Sequence, residues 1–264
     1  MVKKVSCEEK IVVLIGDDLR HQYFLYQLNS KHKISAVFIE KSEYPQPIPE
    51  TENEKDAWTW FFERRKKFEY KTISPTLNLK TLNNPTIFHV KKNELNSIDT
   101  LSKLKNLSPR FIAAFGTGIL KERILSHFPD SIYNLHVGIP EFYRGSSCNF
   151  WPIFNHDLKN LGATVHKVEN GIDKGSVAGE KIISLESTDN EQTLMWKTLQ
   201  VGTELMDETI SKWKQSTLVL KPQIRPGKLF KMSDFKPAAI LKVKNMVESG
   251  ELKSLIESNL NKCS

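Results

Sequence analysis

The 264-residue sequence is poor in cysteine, with three at positions 7, 148 and 263. Their spacing fits neither a disulfide framework nor a metal cluster. A reducing, cytoplasmic setting and a chemistry without metal follow as expectations. Long hydrophobic runs are missing too. The longest, Ile11 to Ile15 and Phe111 to Phe115, fall far short of the roughly 20 residues that a membrane-spanning helix needs, so no membrane partner is expected. The charged opening, Met1 to Lys10, leads into only a short apolar run and does not read as a signal peptide. No internal repeat and no low-complexity tract is present. No G-x-G-x-x-G is found, which removes support for a nicotinamide cofactor.

What is present can build a core. Phe, Trp and Tyr number 14, 5 and 6, which argues against a disordered chain. Lys and Arg total 38 against 31 Asp and Glu, a net charge of +7. The basic residues are scattered. Their densest cluster, Arg64-Arg65-Lys66-Lys67, lies between Glu63 and Glu69, and a solvated helix face accounts for it as well as a phosphate track does. A phosphate-bearing small substrate fits this pattern better than nucleic acid.

Ile11 to Gly16 reads as a buried parallel strand: short, continuously apolar, β-branched and closed by glycine. Asp17 or Asp18 can cap the next helix, whose apolar face holds Phe24, Leu25 and Leu28. Ile34 to Ile39 is a second strand, completing a βαβ unit. Pro45, Pro47 and Pro49 predict an exposed loop, followed by a helix over Ala57 to Tyr70 with Trp58, Phe61, Phe62 and Phe68 near one side. Thr86 to Val90 predicts a strand, Leu95 to Leu107 a helix, and Phe111 to Phe115 and Ile132 to Leu135 two more strands. The first 135 residues thus predict an α/β chain with a Rossmann-like, doubly wound, mostly parallel sheet. Ligands of such sheets sit beyond the carboxyl ends of the strands, here near Gly116–Gly118 and Asn134–Gly138. Beyond Gly162, Ala163 to Val168 and Val177 to Leu185 read as strands flanking a turn at Asn170-Gly171. Asp189 to Gln215 reads as one long helix. Residues 216–264 read as a short strand, a loop around Pro226-Gly227 and terminal helices.

Chemistry concentrates between 134 and 175. Two residues apart on an extended segment, Asn134 and His136 share a face. An amide donor beside an imidazole suits acyl transfer: the ring takes a proton from an attacking amine and the amide steadies an oxyanion. Asp173, between glycines in a turn, can supply the carboxylate that orients the imidazole. By spacing alone, an ordinary turn residue and a structural Asn-x-His pair fit as well.

The order of motifs is more specific. Asn134-Leu-His136, Pro140-Glu-Phe-Tyr143-Arg144-Gly145, Gly162-Ala-Thr164-Val-His166 and Asp173-Lys-Gly175 occur in turn, with Asp173 lying 37 positions after His136. This run resembles the folate-dependent formyltransferases, and among them most the sugar N-formyltransferases. The resemblance covers roughly Ile11 to Lys214. It implies a catalytic triad of Asn134, His136 and Asp173. It further implies N10-formyltetrahydrofolate as co-substrate, its pterin held by backbone from two loops. These map onto Phe115, Gly116, Gly118, Ile119 and Leu120, and onto Val168, Gly171 and Gly175. The formyl group would pass to a primary amine, with His136 accepting the amine proton, Asn134 binding the formyl oxygen and Asp173 keeping His136 productive.

The resemblance also implies a catalytic domain over 1–215 carrying an insert at 44–70, and a small C-terminal α/β segment over 216–264. The insert can be a lid, a dimer contact or a packed helix. Gly227 to Phe230 and Asp234-Phe235 are similar to a segment found in formyltransferase relatives, without a role at the site. Arg20 and His21 can meet a substrate phosphate at the first strand end, or simply begin a solvated helix. Tyr143 and Arg144 can touch substrate or order their loop. Phe150 and Trp151 read as core, Cys148 as a buried packing residue, and His166 as structural or peripheral. The favoured substrate is a nucleotide-linked amino sugar of the kind that feeds surface polysaccharides such as O-antigen, with a homodimer as the expected assembly. Glycinamide ribonucleotide or methionyl-tRNA formylation and formyltetrahydrofolate hydrolysis are the alternatives. The length beyond the long helix is short for the usual tRNA-binding domain, and the loop after the first strand is poor in glycine for a ribonucleotide phosphate.

Overall fold

Alternation of side chains sorts the central strand between two cores. In β1 (Ile11–Gly16), Ile11, Val13 and Ile15 pack on one side with Phe24, Leu25 and Leu28 of α1 (Leu19–Lys31). Val12 and Leu14 pack on the other side with Leu101 and Leu104 of α3 (Ile98–Leu107). A strand buried on both faces must be apolar at every position, and this one is. The computed structural model describes residues 10–43, 46–77 and 84–262. The leader reading over residues 1–9, Tyr44 and Pro45 at the start of the insert, and the cysteines at 7 and 263 lie outside the described residues.

The remaining sheet strands are β2 (Ile34–Glu40), β3 (Thr86–Val90), β4 (Phe111–Phe115), β5 (Ile132–His136), β7 (Gly162–Lys167) and β8 (Val177–Ile182). Their order is β3-β2-β1-β4-β5-β7-β8. β1 to β5 are mutually parallel, and β7 is antiparallel to both β5 and β8. The chain winds outward from β1 in both directions, so the switch point lies between the ends of β1 and β4. The fold is the α/β, Rossmann-like arrangement expected. The long helix α6 (Glu191–Lys214) lies on the α1 side, with Leu199, Leu205, Met206 and Ile210 in that core. The Asn190 side chain caps it, accepting from the amides of Gln192 and Thr193.

Several boundaries differ from expectation. The helix expected from Leu95 is broken, because the Ser97 side chain accepts from Thr100 N–H and starts a fresh helix after a 3-10 turn over Glu94–Asn96. The insert helix, α2 (Glu52–Ile73), begins earlier than Ala57, capped by Thr51 and with acidic Glu52 and Glu54 in its first turn. β8 ends at Ile182 rather than Leu185, because its partner β7 begins opposite at Gly162 and offers no further edge.

The insert and the C-terminal segment share a second core. Phe61 of α2 is fully buried and meets Phe150 and Phe235 edge-on. The same cluster includes Trp151, Ile240, Val243 and Met246 of α7 (Pro237–Glu248), and Leu252 and Ile256 of α8 (Glu251–Lys262). α2 is therefore a packed helix. A short ribbon, β6 (Tyr143–Gly145) paired in parallel with β9 (Lys228–Phe230), ties the C-terminal segment to the motif-rich loop. Trp151 stacks on Phe230 beneath it, with ring centroids 4.4 Å apart.

Candidate active site

β5 presents Tyr133 and Leu135 to the α1–α6 core, so Asn134 and His136 point to the opposite face. The antiparallel register sets His166 of β7 directly across from Asn134. Asp173 comes from the loop between β7 and β8 and completes the cluster. Its Oδ2 lies 3.4 Å from His136 Nδ1 and its Oδ1 lies 3.3 Å from His166 Nε2. His166 Nε2 is also 3.3 Å from Asn134 Nδ2. The three expected catalytic residues are thus brought together, and His166, expected to be structural or peripheral, contacts two of them.

Burial on its own would raise the Asp173 carboxyl. The charge of His136, the hydrogen bond and charge of His166, and the Gly145 N–H at 2.8 Å outweigh it and hold the group well below the usual carboxylate range. His136 Nε2 lies 2.9 Å from the Tyr143 carbonyl oxygen. A carbonyl only accepts, so Nε2 carries hydrogen and the nitrogen able to take a further proton is Nδ1, on the Asp173 side. The Asp173 backbone is left-handed, at φ +49°. Such a conformation in a residue other than glycine needs support from its surroundings. Behind it, Gly175 approaches β7 so closely that a Cβ there would stand 1.8 Å from the Lys167 carbonyl oxygen.

The two loops expected to hold a pterin adjoin one another. Leu120 is buried in the α3-side core, and Val168 packs against that cluster. Phe115 is likewise core, so it and Leu120 can offer only backbone, whereas Ile119 is 65% exposed. Gly116 and Gly171 have φ of +67° and +105°. Two residues unforeseen in the sequence shape the first loop. The buried Glu40 carboxylate accepts from the amides of Gly118 at 2.6 Å and Asn93 at 2.8 Å. Asn96 donates to the Ile119 carbonyl and accepts from Lys121 N–H. Both lie more than 20 residues away in sequence, with no local pattern to mark them.

Of the four candidate substrate contacts, His21, Tyr143 and Arg144 are buried. His21 is 2% exposed, with its ring edge-on to Phe115 at 4.9 Å. It fills the switch-point crevice between Gly16 and Gly116, where an added Cβ would lie 2.6 and 2.0 Å from the ring. Burial and the Arg20 charge hold its pKa well below the ordinary histidine value. A buried neutral ring is a packing group and offers a phosphate no charge. Arg20 stays near the rim with its guanidinium on Asp18 and Glu69. Tyr143 is turned inward: its hydroxyl donates to Asp157 at 2.9 Å, and burial together with that carboxylate pushes the phenol up to about 12. Arg144 is buried and donates to the carbonyls of Gly227 at 3.0 Å and Ile172 at 3.4 Å, so it braces the Asp173 loop. Cys148 is fully buried with its thiol pushed well up by desolvation, a packing residue as expected.

Among the described residues no group of His, Cys, Asp or Glu is arranged to hold a metal. None of the helices described is long and apolar enough to cross a membrane. The family described as formyl transferase matches residues 9–210. A methionyl-tRNA formyltransferase from Thermodesulfovibrio yellowstonii is 36% identical over 125 residues, which is 47% of this chain and 40% of that relative. The match therefore spans less than half the length of that protein. In structure, the phosphoribosylglycinamide formyltransferase of Anaplasma phagocytophilum is similar with a TM-score of 0.56 at 15% identity, over 84% of this chain and 98% of the other. WlaRD, a sugar 3N-formyl transferase solved in the presence of dTDP and 5-N-formyl-THF, is similar with a TM-score of 0.55 at 16% identity, over 86% of this chain and 72% of the other. Likeness at these identities speaks to the fold.

Proposed function

The chain belongs to the formyl transferase family, and on that premise we propose that it transfers a formyl group from N10-formyltetrahydrofolate to the primary amine of a nucleotide-linked amino sugar. The observation that carries transfer chemistry is the buried Asn134–His166–Asp173–His136 chain at the carboxyl ends of the strands. The folate supplies a formyl group on nitrogen, activated for attack by an amine. Asn134 Nδ2 is a donor suited to the formyl oxygen as negative charge grows there. His136 collects the amine proton at Nδ1, where the anionic Asp173 stabilises it, and this pair passes a proton through a water to N10 as the bond from N10 to the formyl carbon breaks, so that tetrahydrofolate leaves. His136 and His166 are buried and Asn134 and Asp173 partly so, and the lowered local dielectric strengthens both interactions.

The donor set fits a folate. The ends of β4 and β7 offer loop backbone with positive φ at Gly116 and Gly171 and an exposed apolar Ile119. Likeness of fold to WlaRD supports the sugar reading. So does the C-terminal segment, which folds back onto the catalytic loop rather than away from it. A net charge of +7 suits two anionic ligands. A homodimer is part of this reading by resemblance. A second reading, methionyl-tRNA formylation, is favoured by the 36% identity to the Thermodesulfovibrio protein.

The test is incubation with N10-formyltetrahydrofolate and, separately, amino-sugar nucleotides, glycinamide ribonucleotide, charged initiator tRNA and buffer alone. Mass spectrometry of the acceptor is read alongside formate release. A formamide on a sugar nucleotide is expected. Formylated tRNA or ribonucleotide would replace the sugar reading, and formate release alone would make the protein a hydrolase.

A further inference from the structure

A side chain of the C-terminal segment, Gln223, meets the Asp173 turn directly. Gln223 Nε2 donates to the backbone carbonyls of Asp173 and Gly175, both at 2.8 Å. We infer that Gln223 is a positioning residue for the proposed transfer, its amide locking the turn that aims the Asp173 carboxylate at His136 and His166. The inference rests on the reading of Asp173 as part of the reacting cluster.

Three features make this more than a surface contact. The first is stoichiometry. A primary amide has two N–H donors on one nitrogen, and the turn presents two carbonyls two residues apart, flanking Lys174. The second is that the lever is itself anchored. Lys221 exchanges both backbone hydrogen bonds with Val177 at 2.7 and 2.9 Å, Ile224 N–H donates to Glu141 at 2.7 Å, and Gly227 N–H donates to the Pro140 carbonyl at 3.0 Å. Gln223 thus stands between fixed points on β8 and on the loop leading to β6. The third is need. Asp173 sits in the left-handed region, uncommon for residues other than glycine although Asp tolerates it better than most, and its Oδ2 must also meet Gly145 N–H. Arg144 holds the same turn at Ile172 from the other side. A turn clamped at 172, 173 and 175 keeps the carboxylate in register with two imidazoles.

The test compares Gln223→Ala, Gln223→Glu and Gln223→Lys with wild type. Glu keeps the size but sets negative charge against two carbonyls, and Lys keeps a donor at similar reach. Amide hydrogen exchange over 168–176 needs no substrate. Faster exchange there in the Ala and Glu variants, with the core strands unchanged, is expected. Unchanged exchange overturns the inference whatever the acceptor proves to be. With the acceptor identified, kcat falls by about 100-fold in the Ala and Glu variants, the scale of a small misplacement at a reacting centre, and recovers partly with Lys. Its pH profile also changes, since a displaced Asp173 no longer faces the imidazole that takes the proton. Faster exchange with wild-type kcat and pH profile would reduce Gln223 to a structural strut and overturn the inference. If wild type formylates no amine, the transfer reading fails, while the exchange result still decides whether Gln223 holds the turn.

Discussion

His166 Nε2 lies 3.3 Å from Asp173 Oδ1, on the carboxylate edge opposite the one that faces His136. One carboxylate thus serves two imidazoles. His166 Nδ1 lies 2.9 Å from the Lys167 carbonyl and must donate to it, which fixes the ring with Nε2 toward the cluster.

Removing that ring should disturb catalysis more than folding. In His166→Ala, Asn134 and Asp173 each lose a partner, and a hydrogen bond to a charged group contributes about 1.5–3 kcal/mol. A fall in kcat of about 10- to 100-fold is expected, with folate binding retained. Steady-state kinetics with folate titration by fluorescence separates the two. Wild-type kcat would return His166 to a packing role.

Asp173 predicts a pH dependence of stability. Its carboxyl is held below its unfolded value near 3.9, so the unfolded chain binds the proton more readily. The stabilisation is complete above about pH 4 and drains away as pH falls through the lower folded value. Urea unfolding of wild type and Asp173→Asn should show a stability gap at pH 7 that narrows below pH 4. A gap constant with pH would mean that charge plays no part.

His21 predicts a loss at milder pH. Its folded pKa lies well below about 6.5, so stability is full above that value and declines as pH falls and the buried ring must charge. His21→Gln should flatten the profile between pH 7 and 5. Gly116→Ala should destabilise by about 2 kcal/mol or more, because its φ is +67° and the new Cβ meets the His21 ring. Thermal and urea unfolding check both.

Phe61 couples the insert to the C-terminal helices. Phe61→Ala should cost about 3–5 kcal/mol by leaving a cavity among Phe150, Phe235 and α7. Faster hydrogen exchange in both α2 and α7 would accompany it. Loosening of α2 alone would show that the two do not share a core.

The sequence by itself determined the parts whose signals are local. Short, largely apolar runs marked β1, β2 and β4, and the two-residue spacing of Asn134 and His136 put both on one face of β5. The ordered motifs named Asp173 as their partner, and it stands there. The aromatic residues of the insert carried a helical pattern, but nothing in that pattern said what would cover them. Only the tertiary structure set His166 across from Asn134, since strand register depends on pairing between chain segments 32 residues apart. It alone brought Glu40 to the loop at Gly118, Gln223 to the Asp173 turn and Phe61 to Phe235, through contacts 78, 50 and 174 residues apart. It also decided between the alternatives left open for two residues, burying His21 as a neutral plug and setting Arg144 to brace its loop. The reason is common to all of these. Periodicity and turn chemistry are decided within a few residues. A side chain's partner, burial and charge state are decided by whichever distant segment packs against it.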